Sequence, residues 1–376
     1  MSRDKFEAIE QAARSGGAAA AFDCLIETLR GERLWPHLFE AMLMRNRWQL
    51  GLPLVQTEPL GDMPEGTRRA FEDGYIEAAR TVGGLYLAEG DIIRAWPYFR
   101  TIGETKPVAA ALDAITDKTG DELQKIIEIA FYDRANPRKG FELILANYGT
   151  CSAITTFEQY PGGEGREDCI ELLVRRLHGD LVESLKHDIA KQEEQAPDTR
   201  SVPVLVEGRD WLFGDNNYHV DTSHLAAVVR FSIELEDRET LALARELTEY
   251  GRRLAPLFQY KGSPPFENIY ADYGAYLDAL LGANVDEAVA HFRAKAAGGD
   301  DAAVAAAQVL VGLLARLDRY ADAIAVSLEF LRDLPAGQLA CPTIPQLCTM
   351  AQDRERLKTL AREQDDVLSF TAAVVG

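Results

Sequence analysis

The sequence is short of the residues and runs that announce chemistry. It has five cysteines, an odd number, at Cys24, Cys151, Cys169, Cys341 and Cys348. None forms a Cys-x-x-Cys pair, so no zinc-ribbon spacing exists, and the thiols fit a reducing compartment. No stretch approaches the ~20 apolar residues of a membrane span. The opening MSRDKFEAIEQAAR is charged and amphipathic and lacks the apolar segment of a signal peptide, so the expected location is the cytoplasm. A Gly-Lys-Ser/Thr phosphate loop, a Gly-x-Ser-x-Gly elbow and a His-Glu-x-x-His pair are all missing. Positive charge is also scarce: 60 acidic residues face 40 basic ones, a net charge of −20. That balance repels phosphate backbones and anionic lipid. The pairs Arg68-Arg69, Arg175-Arg176 and Arg252-Arg253 lie on helical patterns flanked by acids, as solvated faces do. Neither nucleic acid nor membrane is an expected partner.

What the chain does have is apolar material at helical spacing. It is 47% hydrophobic over 376 residues, enough for a sizeable core. DKFEAIEQAA, AAAAFDCLIETL and HLFEAMLM place apolar residues three and four apart, and Pro36 stands where a helix begins. Residues 51–66 carry three prolines and three glycines and read as a connector. Later, DELQKIIEIAFYD, PRKGFELILANYG and EDCIELLVRRLHGDLVESLKHDIAKQ keep the helical pattern, with Pro137 starting the second and Gly149 ending it.

One stretch repeats a recognisable logic. In ARTVGGLYLAEGDIIRAWPYFRTIGETKP, Val82-Gly83 precedes Tyr86, Ala95 precedes Phe99, and Pro107 stands at the exit. Small residues at 83 and 95 allow two helices to approach, and Tyr86 and Phe99 fill the space beside them. Comparable units hold Ala244 with Pro256, Ala288 with Phe292, and Ala323 with Phe330 and Pro335. Ala288 and Ala323 are 35 residues apart, close to a period of about 34. Over 79–107 and 225–335 the chain resembles the tetratricopeptide repeat, with Ala79 where that family often carries tryptophan. The resemblance implies an irregular all-α solenoid of antiparallel helix pairs, a concave groove, and a peptide or protein segment as partner.

One segment breaks the helical pattern. VPVLVEGRDWLFGDNNYHV, 202–220, is rich in β-branched and aromatic residues and turn signals, and reads as a small β-like insertion. The expected sections are therefore an N-terminal helical array (1–195), an extended insertion (196–220) and C-terminal repeats (221–376).

The insertion leads into YHVDTSHL, which holds two of the six histidines. Asp221, Thr222 and Ser223 are all good helix N-caps, and capping alone accounts for them. It does not account for His219 and His224. An extended run followed by a first helical turn can aim both imidazoles at one point, with Asp221 as a third ligand or an orienting partner. His178 borders the apolar stripe Val174, Leu177, Leu181, Leu185, whereas His187, nine residues on, falls on a polar face. His178 or Glu158 would complete a divalent-metal site for zinc, manganese or iron, in which bound water becomes a nucleophile. The competing readings are a satisfied core histidine and a surface carboxylate. Tyr260, Phe266 and Tyr270, with Tyr218 before them, form an aromatic group that either lines a ligand pocket or packs helices together. Two functions stay open: a scaffold that binds a peptide or protein segment, and a metal-dependent enzyme, such as a hydrolase, centred on His219, Asp221 and His224.

Overall fold

The computed structural model describes residues 3–55, 63–116 and 119–375. Much of the connector expected at 51–66, namely 56–62, lies outside the described residues. The chain is 75% helical with no strand among the described residues, which makes it all-α. It divides into two compact units, Met1–Asn147 and Tyr148–Gly376.

The first unit contains α1 (Arg3–Gly31), α2 (Trp35–Gln49), α3 (Glu65–Ala88), α4 (Ile92–Thr101), α5 (Lys106–Asp113) and α6 (Gly120–Ile127). After α6 the chain continues as a π-helical turn and then enters α7 (Pro137–Glu158). Pro36 lies in the first turn of α2, where its missing N–H costs nothing. Gly149 breaks α7, at φ 78°, a backbone region that favours glycine. The α3–α4 pair is the clearest case of close approach. A Cβ on Gly83 would come within 2.7 Å of the Phe99 ring, and Val82, Ala95 and Phe99 are buried around that contact. Pro107 sits in the first turn of α5, so it opens the next helix as well as closing the pair.

The second unit contains α8 (Arg166–Glu193), α9 (Val202–Val206), α10 (Thr222–Phe231), α11 (Arg238–Arg253), α12 (Ile269–Leu280) and α13 (Val285–Ala296). It goes on through α14 (Asp301–Arg316), α15 (Tyr320–Phe330), α16 (Ile344–Met350), α17 (Arg354–Glu363) and α18 (Val367–Val375). Asp221, Asp237, Asn268, Asp300, Thr343 and Asp353 cap α10, α11, α12, α14, α16 and α17 by accepting first-turn N–H groups. Helix α8 is a hub that takes α9, α10 and α11 against it. From α11 onward each helix packs chiefly on the next in sequence, an order compatible with a helical repeat. Ala288, Phe292 and Ala323 are buried in that succession.

The β-like insertion expected at 202–220 is not there. Val202–Val206 is a short α-helix and Asp210–Asn216 is 3-10 helical, broken at Gly214 and Asp215. The reason lies in packing. Ser201-Val202-Pro203 starts a helix as well as any strand, and Val202, Leu205 and Val206, spaced as one helical face, are all buried. Helix α9 packs on both α8 and α11, and that burial overrides the β-propensity of its valines. The turn signals were real: Asp215 and Asn216 both adopt positive φ, which short polar side chains tolerate.

Candidate functional site

The segment between α8 and α10 is tied down by charge. Arg209 makes a two-armed contact with Glu193 at the end of α8, both bonds 2.8 Å. Arg253 of α11 donates to the Val206 carbonyl, pairs with Asp210, and lies over the Phe213 ring at 4.5 Å. These contacts deliver His219 into the interior between α8 and α11.

His219 has a fully buried side chain. The Tyr250 hydroxyl accepts the His219 backbone N–H at 2.8 Å, and the same oxygen is 3.0 Å from His219 Nδ1. The phenol oxygen can accept from both the amide and the ring or donate to the ring, so the ring's tautomer sets the direction of the Nδ1 bond. Nε2 makes no hydrogen bond; the Asp188 carboxylate of α8 is 3.6 Å away. Burial pushes His219 below its ordinary value of 6.5, with Asp188 pulling the other way. Burial also drives the Tyr250 phenol far upward, so it stays neutral.

The remaining candidates do not join it. Asp221 caps α10, accepting from the Ser223 hydroxyl at 2.5 Å and from the Ser223 and His224 amides at 2.9 and 3.1 Å. The Ser223 hydroxyl is the chief cause that holds its carboxyl below the usual range. His224 is half-buried in the first turn of α10. Glu158 faces Arg230 at 3.5 Å with both side chains about half exposed. His178 is buried and its Nε2 is 2.7 Å from Glu246 Oε2. Among the described residues, no three His, Cys, Asp or Glu side chains stand together in a way that could hold a metal ion.

Glu246 is the residue that sequence reasoning missed. From α11 it meets His178 of α8 and also accepts the Val202 amide at 3.0 Å and the Ser201 hydroxyl at 3.1 Å. Burial alone would raise its pKa; the bonds from His178, Val202 and Ser201 outweigh that and hold it below the ordinary range. One carboxylate therefore fastens α8, the start of α9 and α11. A second missed network centres on buried Asp272 of α12. It meets His291 at 2.8 Å, Lys295 at 2.9 Å and the Asn268 amide at 2.8 Å. Lys295 also pairs with Glu267 at 2.7 Å. Burial disfavours charge on Lys295, but Glu267 and Asp272 more than compensate and its pKa is raised. No local sequence signal joins these residues, since 68 positions separate His178 from Glu246 and 19 separate Asp272 from His291.

The aromatic group packs rather than opens. Phe266 stacks on Tyr273 at 4.0 Å and meets the edges of Tyr276 and Phe292. Tyr270 is buried against Gly251, where a Cβ would approach its ring to 2.3 Å, and its hydroxyl makes no hydrogen bond. Tyr260 reaches Thr222 at 3.1 Å, and Tyr218 meets Phe258 edge-on at 5.0 Å; both tyrosines are partly exposed.

Open concave surface lies elsewhere. In the first unit a groove of about 860 Å³ runs beside the start of α4, lined by aliphatic residues such as Leu87, Ile93 and Ile115 and by the charged Glu89, Asp91, Arg94, Glu122 and Lys125. Among the described residues no helix is long and apolar enough to cross a membrane. Comparison of the chain with models of protein families, with curated proteins and with solved structures found no match.

Proposed function

We propose that this chain is a tetratricopeptide-like scaffold that holds a peptide or protein segment of a partner in the groove beside α4. The groove carries the proposal: its lining mixes aliphatic side chains with charges of both signs, a composition that can seat side chains and orient a peptide backbone. The close Gly83–Phe99 approach is support from the repeat resemblance, because in that family such helix pairs present a concave face. The hydrogen-bonding roles of His178, Asp221 and Glu246 lend support in another way. His178 and Glu246 are occupied in joining helices and Asp221 in capping its own, which leaves the scaffold reading ahead of metal chemistry.

A photo-crosslinking residue in place of half-exposed Ile93 tests this. Irradiation should attach a discrete partner at Ile93 and none at exposed Gln11, and adding Arg94→Glu should remove the product without changing the thermal melt. Equal, diffuse labelling at both positions would count decisively against a binding groove here.

A further inference from the structure

Helix α1 is built as two helices rather than one. Gly17 breaks it at φ 73° and ψ −165°, a conformation that favours glycine, and a Cβ there would meet nothing within 4 Å. After the break Phe22, Ile26 and Leu29 are buried, so the stretch 18–31 belongs to the core of the first unit. Before it no residue from 4 to 16 is buried. Lys5, Ile9 and Ala12 are half-buried along one face, and Phe6 is 58% exposed. Arg14 and Ser15 bond within this arm, to Glu10 and to the Gln11 carbonyl. Lys5 reaches out of it and pairs with Glu32, just past the far end of α1. Glu32 is a firm anchor. Its amide and those of Arg33 and Leu34 donate to the Thr28, Arg30 and Leu29 carbonyls and close the helix end.

From the break, the thin burial and the ion pair together we infer that residues 3–16 form a latched arm. It opens about Gly17 as one body while the rest of the first unit stays folded, and ionic strength sets how often it opens. A helix of about 14 residues is marginal on its own in water, so contact with the unit is what holds it. That contact is slight, and elements with little burial are where local opening begins. The ion pair that adds to it is partly exposed, at 21% for Lys5 and 36% for Glu32, so salt screens it. The latch stands at an edge of open surface. Glu32 is followed by Arg33, Leu34 and Trp35, which wall a hollow of about 650 Å³. That hollow shares Glu89, Ile93 and Arg94 with the groove beside α4. Opening of the arm therefore frees Glu32 beside both. The inference does not depend on what the groove binds.

Hydrogen exchange of the full chain, followed by mass spectrometry, tests it. Amides 7–15 should exchange at least about a hundredfold faster than amides 76–86 of α3, yet about tenfold slower than in a free peptide of residues 3–16. Raising sodium chloride from about 0.05 to about 1 M should speed 7–15 by about two- to fivefold and leave 76–86 unchanged. Lys5→Gln should give the same acceleration and abolish the salt response, and Lys5→Glu combined with Glu32→Lys should recover the parent rate. Gly17→Ala disfavours the positive φ of the closed form, so it should speed 7–15 while 22–29 stays protected. Protection of 7–15 equal to that of α3 overturns the inference, and so does exchange as fast as in the free peptide. A rate that ignores both salt and Lys5→Gln overturns it as well, as does equal loosening of 7–15 and 22–29 in Gly17→Ala.

Discussion

Helices α8 and α11 hold two buried imidazoles in contrasting surroundings. At His178 the partner is a carboxylate, Glu246, which also accepts from Ser201 and Val202. At His219 the partner is a phenol, Tyr250, which meets both the ring and the backbone amide, while Nε2 is left with Asp188 beyond bonding distance. The first place is a charged knot joining three elements. The second is a neutral plug that fixes the end of the 202–220 segment. Buried polar groups stabilise a fold only when they are satisfied, so the two places should respond differently to the same kind of damage.

The largest difference should appear on removing the acceptors. Glu246→Ala strips the buried His178 of its partner and leaves the Val202 amide and Ser201 hydroxyl without one, a loss on the order of 3 kcal/mol. Urea unfolding should show it as a lower midpoint, and hydrogen exchange should rise at 201–206. Tyr250→Phe removes one hydroxyl and keeps the ring packing, leaving the His219 amide unpaired, for about 1–2 kcal/mol. Exchange should then rise at 217–220 while 201–206 stays protected. The contrast collapses if Tyr250→Phe proves the costlier change, or if either variant loosens both stretches alike.

The sequence showed the local half of this picture. Pro36 and Pro137 mark helix starts, Gly149 a helix break, and Asp221 a cap, because each acts through its own backbone or the next turn. The Gly83–Phe99 approach was also readable, since its two partners lie in consecutive helices. The 202–220 segment was misread because its valines follow burial against α8 and α11, which no window of a few residues contains. The inward position of His178 was readable from the stripe it borders, but its partner was not, for Glu246 sits on a helix reached only after α9 and α10. Nor was it visible that the phenol at 250 would occupy His219 Nδ1, the nitrogen a metal could otherwise take.

The smallest expected effect is also the one that separates the two imidazole surroundings most cleanly, because it depends on pH. His219 has a folded pKa below 6.5, set by burial. Between that value and 6.5 the unfolded chain binds the proton more readily, so stability is level above 6.5 and falls as pH drops from 6.5 through the folded value. Glu246 is also held below its ordinary value, 4.5, so its contribution is present above 4.5 and is lost only as pH falls further. The two windows do not overlap at their upper edges. His219→Gln should therefore flatten the slope just below 6.5 and keep the drop below 4.5, whereas Glu246→Gln should soften the drop and keep the slope. Urea midpoints measured across that range decide the matter. A parent-like slope below 6.5 in His219→Gln would mean that the imidazole ring is wetter and less constrained than its surroundings of Tyr250, Phe213 and Asp188 require.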